Sequence, residues 1–409
     1  SSLAIMSSVT YPNANSAQSG YASKQVPNPD LKWEANKTFN IGLDLGFFNQ
    51  RLTISPEFYI NRSSNLLFDA RLPNSSGYSS MTINAGETEN KGIDLTINSV
   101  NITNKDFTWN TTVTLSHNKN SVNQLTGEKV QLYLADMGVK GAGSSHKIGV
   151  GEPLGQFYGY ISDGLYQVSD FNYDKASGKY TLKDGIPYRG EKDKVQPGML
   201  KFKNIDGSED KITEDDKTVI GNAFPKFYGG INNTFTYKDF DLSIFLTYSF
   251  GNDVLNATKL TNTRTALTNK NVLAAADWNH RWVTINKETG ALITDPEELA
   301  AANQGKTIAC FDDNGSSDNA VIHSWAVEDG SYLKLSNITL GYTFPKKIVN
   351  KIGLSKLRLY ATGNNLLTWT KYTGYDPEVS TMSNAMTPGV DFGAYPRSRS
   401  FVFGVNVAF

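Results

Sequence analysis

Two stretches carry residue types whose spacing could do chemistry. The first is Asn204-Ile205-Asp206-Gly207-Ser208-Glu209-Asp210-Lys211-Ile212-Thr213-Glu214-Asp215-Asp216. Oxygen side chains at Asp206, Ser208 and Asp210, then an apolar Ile212, then Asp215 and Asp216, follow the pattern of a calcium loop. Calcium takes six to eight oxygens, and alternation turns several ligands toward one centre. An acidic surface turn has the same composition, so both readings stand. The second stretch is Trp278-Asn279-His280-Arg281-Trp282, joined by Trp325, Trp369, Tyr372 and Tyr375 in other long connections. Flat aromatics stack on apolar sugar faces while Asn, Asp and Arg bind hydroxyls. Trp, Tyr and Arg also dominate protein interfaces. Trp278, His280, Arg281, Trp282, Trp325, Trp369, Tyr372 and Tyr375 are therefore candidates for contact with a substrate or a covering partner, against packing inside the loops.

Other chemistry is sparse. His117, His146, His280 and His323 show no zinc spacing. The single Cys310 cannot form a disulfide within the chain. No Gly-rich phosphate loop follows a strand and opens a helix, and no catalytic carboxylate pair stands out. The 39 Lys+Arg against 40 Asp+Glu leave a formal net charge of −1, so nothing in the composition suggests a nucleic-acid partner. No enzyme activity and no required cofactor are expected; calcium is the one candidate.

The elements that must position these residues are strands. At the end of the chain, Phe401, Phe403, Val405, Val407 and Phe409 alternate with Val402, Gly404, Asn406 and Ala408. That is a period-two strand with one apolar face and one face of mostly small or polar residues. Eight earlier segments read alike, beginning near Phe39, Leu52, Gly92, Phe107, Ile231, Phe240, Tyr332 and Leu357. Pro56 predicts a bulge or a missing bond in the second. In the seventh the apolar phase slips near Ser336-Asn337, which predicts one bulge residue there. No apolar run approaches the roughly 18 residues of a membrane helix, so a membrane could be crossed only by a closed barrel.

The connections alternate short and long, the long ones being 62–85, 118–228, 251–330 and 367–398. Outer-membrane barrels pair short periplasmic turns with long extracellular loops. Phe47, Phe48, Phe107, Trp109, Tyr237, Phe240, Phe344 and Phe409 crowd the short-turn side, half of an aromatic girdle. A soluble β-sandwich also alternates with period two, but explains neither asymmetry. The fold expected is all-β, a transmembrane antiparallel β-barrel embedded in lipid. Large extracellular regions at 118–228 and 251–330 sit within it. Asp44, Glu57, Asp94, Asp241 and Arg358 fall on the polar strand faces and are expected to line the lumen. Nine strands is an odd number, whereas single-chain bacterial barrels have even counts. Further strands are expected before Ser1.

Several segments carry a family resemblance. They are Asn28-Pro29-Asp30-Leu31-Lys32-Trp33-Glu34 with Asn40-Ile41-Gly42-Leu43-Asp44, Asn90-Lys91-Gly92-Ile93-Asp94-Leu95, Gly151-Glu152-Pro153-Leu154-Gly155-Gln156-Phe157-Tyr158-Gly159-Tyr160 and Phe224-Pro225-Lys226-Phe227-Tyr228-Gly229-Gly230. The strongest is Ser331-Tyr332-Leu333-Lys334-Leu335-Ser336-Asn337-Ile338-Thr339-Leu340-Gly341-Tyr342, with Asn364-Asn365-Leu366 and Gly374-Tyr375-Asp376-Pro377-Glu378. In this order they resemble the barrel of SusC/RagA-type TonB-dependent transporters of Bacteroidetes. The resemblance implies the C-terminal part of a plugged outer-membrane barrel of about 22 strands. It implies energisation by TonB and a SusD-like surface lipoprotein that delivers oligosaccharide, or oligopeptide in RagA-like members. An outer-membrane adhesin or enzyme barrel is the less favoured alternative. The family's plug, TonB box and first strands have no counterpart here, so no residue is assigned to energy coupling. Family members carry a tidier Asp-x-Asn-x-Asp-Gly version of the acidic loop; the version here is one residue longer and lacks the second Gly.

Overall fold

The computed structural model describes residues 6–13, 16–23, 25–71, 76, 78, 80–84, 86–125, 131–136, 143–207, 210–263, 271–309, 321–381 and 386–409. Nine long strands form its principal sheet: β1 (Ala35–Gly42), β2 (Leu52–Ser64), β3 (Gly86–Thr103), β4 (Phe107–Leu125), β5 (Phe227–Tyr237), β6 (Phe240–Phe250), β7 (Tyr332–Thr343), β8 (Lys356–Thr370) and β9 (Ser400–Ala408). Each pairs antiparallel with its neighbours in the chain, so the sheet is a meander without crossovers. All nine expected strands are present. Among the described residues β1 and β9 leave their outer edges unpaired.

Both predicted irregularities have physical counterparts. Pro56 has no N–H to donate, and opposite Ser55-Pro56 the first strand is interrupted: β1 ends at Gly42 and pairing resumes over Leu45–Phe47. Leu43 still donates to the Pro56 carbonyl at 3.0 Å. In β7, Leu335 pairs with Leu246 and Asn337 with Phe245, so Ser336 is the extra residue. Its hydroxyl meets that of Thr247 at 2.6 Å. The bulge keeps Leu333 and Leu335 on the same face as Ile338 and Leu340.

Register collects the apolar residues on one face. Phe403, Ala361, Leu340, Leu242 and Phe235 lie side by side across five strands, as do Ile41, Phe58 and Ile93 across three. These side chains are largely uncovered, with Phe403 81% exposed. A continuous apolar face of this extent is a surface for lipid rather than water. Aromatics band it at both ends. At the short turns, Trp109 stacks on Phe235 at 5.6 Å and Tyr342 contacts Phe240 at 4.7 Å. At the far end Phe227, Tyr248 and Phe250 form the second band, with His117 5.2 Å from Phe227 and Tyr248 5.7 Å from Phe250. The sequence reading found only the first band.

The opposite face carries Asp44, Glu57, Asp94, Asp241 and Arg358. Glu57 and Asp94 are register partners. Asn40 donates to Glu57, and Ser55 donates to Asp44 at 2.6 Å. β3 and β4 run well past the residues that alternate, as a polar ribbon over 86–91 and 117–125. A strand that has left the bilayer no longer needs an apolar face, which is why its sequence pattern stops near His117.

Beyond the long-loop ends, the described residues between β4 and β5 and between β6 and β7 pack into one body with those after β8. Phe157, Leu255, Ile322 and Val390, one or more from each, share a core. Leu165 from the first region packs with Trp282, Ile293 and Leu299 from the second. A small sheet ties two connections together: Val327–Asp329 pairs with Asp253–Asn256, both between β6 and β7, and Asp253–Asn256 pairs with Val390–Asp391 after β8.

Candidate functional site

The aromatic candidates separate into three groups. Trp282 is only 1% exposed; it rests on Gly198, whose φ of +88° and missing side chain leave room for the indole. Tyr372 is buried too and donates to Asp391 Oδ2 at 2.6 Å, and burial raises its pKa well above the usual tyrosine value. As placed, both hold the loop body together and neither faces a ligand. Trp369 stands at the end of β8 on the apolar face, in register with Leu333, and so belongs with the second aromatic band. The third group remains open to contact. Trp325 and Tyr375 line one cleft, Tyr375 being 75% exposed. His280 is exposed and pairs through Nδ1 with Asp277 at 2.6 Å. Trp278 lends its carbonyl to Lys306 at 2.9 Å, and the same ammonium lies 5.8 Å from its ring centre. Arg281 sits near enough to bear on the Lys306 charge; burial first, then Arg281, lowers the Lys306 pKa.

Trp325 is a wall shared by two clefts. The larger, about 530 Å³, runs between Ser162–Asp170, Lys201, Lys306 and Ser324. It presents polar groups with bonding capacity left. The Thr307 hydroxyl has no partner among the described residues, and Lys306 Nζ makes one bond to a carbonyl. Lys201 lies between Asp170 at 3.4 Å and Asp163 at 4.0 Å. The smaller cleft, about 260 Å³, opens between Trp325, Tyr375, Ile308 and Leu273. Below it, Lys259 Nζ sits 3.9 Å over the Trp325 ring and donates to the Trp325 carbonyl and to Glu328, both at 3.0 Å. Glu328 also accepts from the Thr373 amide and hydroxyl at 2.8 Å each. This ion pair and its bonds to Thr373 thus fix two connections around Trp325, a centre that spacing alone could not reveal because its members run from Lys259 to Thr373 along the chain.

The acidic stretch is arranged differently from a cage. Asp216 is buried, and its carboxylate accepts from the backbone amides of Ile205 at 2.8 Å, Asp206 at 3.4 Å and Thr213 at 2.8 Å. Asp210 accepts from the Gly185 amide at 2.9 Å, and Asp215 is exposed. Ser208 lies outside the described residues. Among the described residues no three metal-ligating side chains converge anywhere. A carboxylate already holding three amides serves as the loop's own clasp, and the described carboxylates alone do not supply the six to eight oxygens that calcium takes. The buried histidines are likewise engaged or enclosed. His146 meets the Ser145 hydroxyl at 2.8 Å and the Pro388 carbonyl at 2.9 Å, while His323 lies almost parallel to Trp325 at 5.9 Å. Burial lowers both pKa values to about 4.

Comparison with known proteins decides the family. Residues 6–196 match the family model described as TonB dependent receptor-like, beta-barrel. Over its whole length the chain is 34% identical to TonB-dependent receptor P3 of Formosa agariphila. The chain belongs to the TonB-dependent receptor β-barrels. Over 93% of its length it is also 29% identical to TonB-dependent receptor SusC of Bacteroides thetaiotaomicron. It spans 37% of the length of receptor P3 and 32% of SusC. In fold, all of the chain superposes on 39% of a chain in the structure titled "Structure of the RagAB peptide transporter", with a TM-score of 0.70 and 23% identity. The nine-stranded sheet is therefore a portion of a TonB-dependent outer-membrane barrel wall. Its apolar face is the lipid side, and the packed body stands at the long-loop end.

Proposed function

We propose that the complete protein is a SusC/RagA-type transporter that imports oligosaccharide across the bacterial outer membrane, energised by TonB and loaded with the help of a SusD-like surface lipoprotein. The observation that carries the reading is the pairing of a lipid-faced strand wall with a packed loop body in which the larger of the two clefts beside Trp325 has open polar groups. In that cleft Thr307, Lys306 and Gln167 would bond sugar hydroxyls, and Trp325 would give an aromatic edge. The polar wall face, with Asp44, Glu57, Asp94, Asp241 and Arg358, would line the passage. Passage needs no covalent step on the cargo. An oligopeptide cargo is the second reading, favoured by the fold shared with a transporter titled for peptides.

The test is uptake by intact cells. A strain lacking the gene should lose growth on one class of oligosaccharide and regain it with the wild-type gene. Lys306→Ala and Thr307→Val should weaken uptake at low substrate concentration, while outer-membrane level stays constant. Growth lost only on peptides would replace the first reading with the second. Growth lost on neither would reject import.

A further inference from the structure

The smaller cleft beside Trp325 differs in kind from its neighbour. Its polar lining is already engaged inward. Asn256 accepts from the Lys259 amide at 2.8 Å and donates to Glu328 at 3.4 Å. Thr258 accepts from the Gly393 amide at 2.7 Å, and Thr263 donates to the Lys259 carbonyl at 2.8 Å. Thr373 and Lys259 are held by Glu328, and Asp391 by Tyr372 and the Ala394 amide. Among the described side chains that line this slot, only the Trp325 indole N–H and the Tyr375 hydroxyl are without a partner. A hexose entering it would find two free side-chain partners for its several hydroxyls. Each hydroxyl left dry and unpaired costs about 1–3 kcal/mol. A nonpolar group meets no such penalty against Ile308, Leu273, Ala275 and the Trp325 edge. At about 260 Å³ the slot holds one compact group rather than a chain of rings.

We propose that this slot is a subsite for a nonpolar substituent, an acyl or aryl ester, carried by an oligosaccharide whose sugar rings lie in the larger cleft. Trp325 borders both clefts, so a single cargo molecule can place rings on one side and its substituent on the other. The proposal rests on the oligosaccharide reading above and narrows it: the cargo is decorated rather than bare. The slot is also preformed, because Lys259 and Glu328 in one connection and Thr373 in another are bonded together around it before any ligand arrives, and preorganisation favours selectivity.

The experiment uses the full transporter, purified with its native lipoprotein partner from outer membranes. It is offered a plant or algal oligosaccharide digest with ester groups intact, the same digest after saponification, and a protein digest. Mass spectrometry reads what is retained. Ester-bearing oligosaccharides should be retained about ten- to two-hundredfold over their saponified forms, the discrimination one nonpolar group supplies. In Ala275→Trp, which fills the slot from an exposed turn, that ratio should fall to about one. Tyr375→Ala, at a side chain the fold does not need, should lower it as well. Equal retention of intact and saponified forms overturns the subsite while leaving oligosaccharide import standing. Retention of nonpolar peptides alone, lost in Ala275→Trp, overturns both, as does retention of nothing.

Discussion

Arg358 reaches across β7 to Asp241 on β6, its Nε donating to Asp241 Oδ1 at 2.9 Å and its Nη2 to Oδ2. Gly341 lies between them and is the register partner of Asp241. A Cβ on Gly341 would stand 2.5 Å from Asp241 Oδ1 and also collide with Arg358. The glycine is thus what lets one guanidinium tie three strands together. Asp241→Ala should lower the stability of the assembled wall by about 1 kcal/mol, the scale of a partly exposed pair. Gly341→Val should do more, since both ends of the pair must then move. Urea titration followed by heat-modifiable gel mobility reads this; identical midpoints for wild type and Gly341→Val would contradict the role given to the glycine.

Ile244 and Ser243 are adjacent but face opposite ways. Ile244 aligns with Ile338 on the apolar face, and Ser243 with Thr339 on the polar one. Ile244→Arg should cost about 2–4 kcal/mol near the bilayer midplane. Ser243→Arg can project into water and should assemble close to wild-type level. Comparable losses in both, measured as folded protein in outer-membrane fractions, would argue against a lipid face.

The buried histidines make the loop body sensitive to acid. His146 and His323 titrate at about 4 when folded, against about 6.5 in an unfolded chain. Between those values the unfolded chain binds protons that the folded one does not. Their contribution is therefore complete above about pH 6.5 and declines as the pH falls toward 4, by up to about 3 kcal/mol for each group. Hydrogen exchange at 144–149 and 321–326, corrected for intrinsic rates, should show protection falling between pH 7 and pH 5. His146→Gln should flatten the response in the first segment. Unchanged protection over that range would refute this assignment of charge.

Asp216 should matter more to its loop than any added ion. Three backbone amides already converge on its carboxylate, and bonds to a charged acceptor are worth about 1.5–3 kcal/mol. Asp216→Ala should open 204–216 to limited proteolysis with or without calcium. Protection of the wild-type loop by millimolar calcium, absent with magnesium, would mean that Asp206, Ser208, Asp210 and Asp215 gather around an ion after all.

The wall was legible in the sequence because a membrane enforces strict alternation on each strand. Even the Ser336 bulge shows, as a slip of phase, and Pro56 shows as a missing donor. The strand ends were less legible, since above the bilayer β3 and β4 continue on pairing alone, with no apolar face to betray them. The loop body was hardest. Its cores join residues far apart in the chain, such as Phe157 with Val390, through short strands that carry no periodic signal. For the same reason Trp282 and Tyr372 looked like surface aromatics: nothing local marks the Gly198 seat of the one or the Asp391 partner of the other. Composition found Trp325 and Tyr375, but only the hydrogen-bond inventory around them separates a polar cleft from an apolar slot.

The orientation of the wall in its membrane is the central claim, and cysteine labelling on intact cells tests it most directly. In a Cys310→Ser background, Lys175→Cys, at the tip of the Phe171–Asp174 and Lys179–Leu182 hairpin in the loop body, should react with an impermeant thiol reagent. Lys238→Cys, in the tight turn between β5 and β6, should react only after the outer membrane is opened. Labelling at Lys238→Cys on intact cells with Lys175→Cys protected would contradict the account.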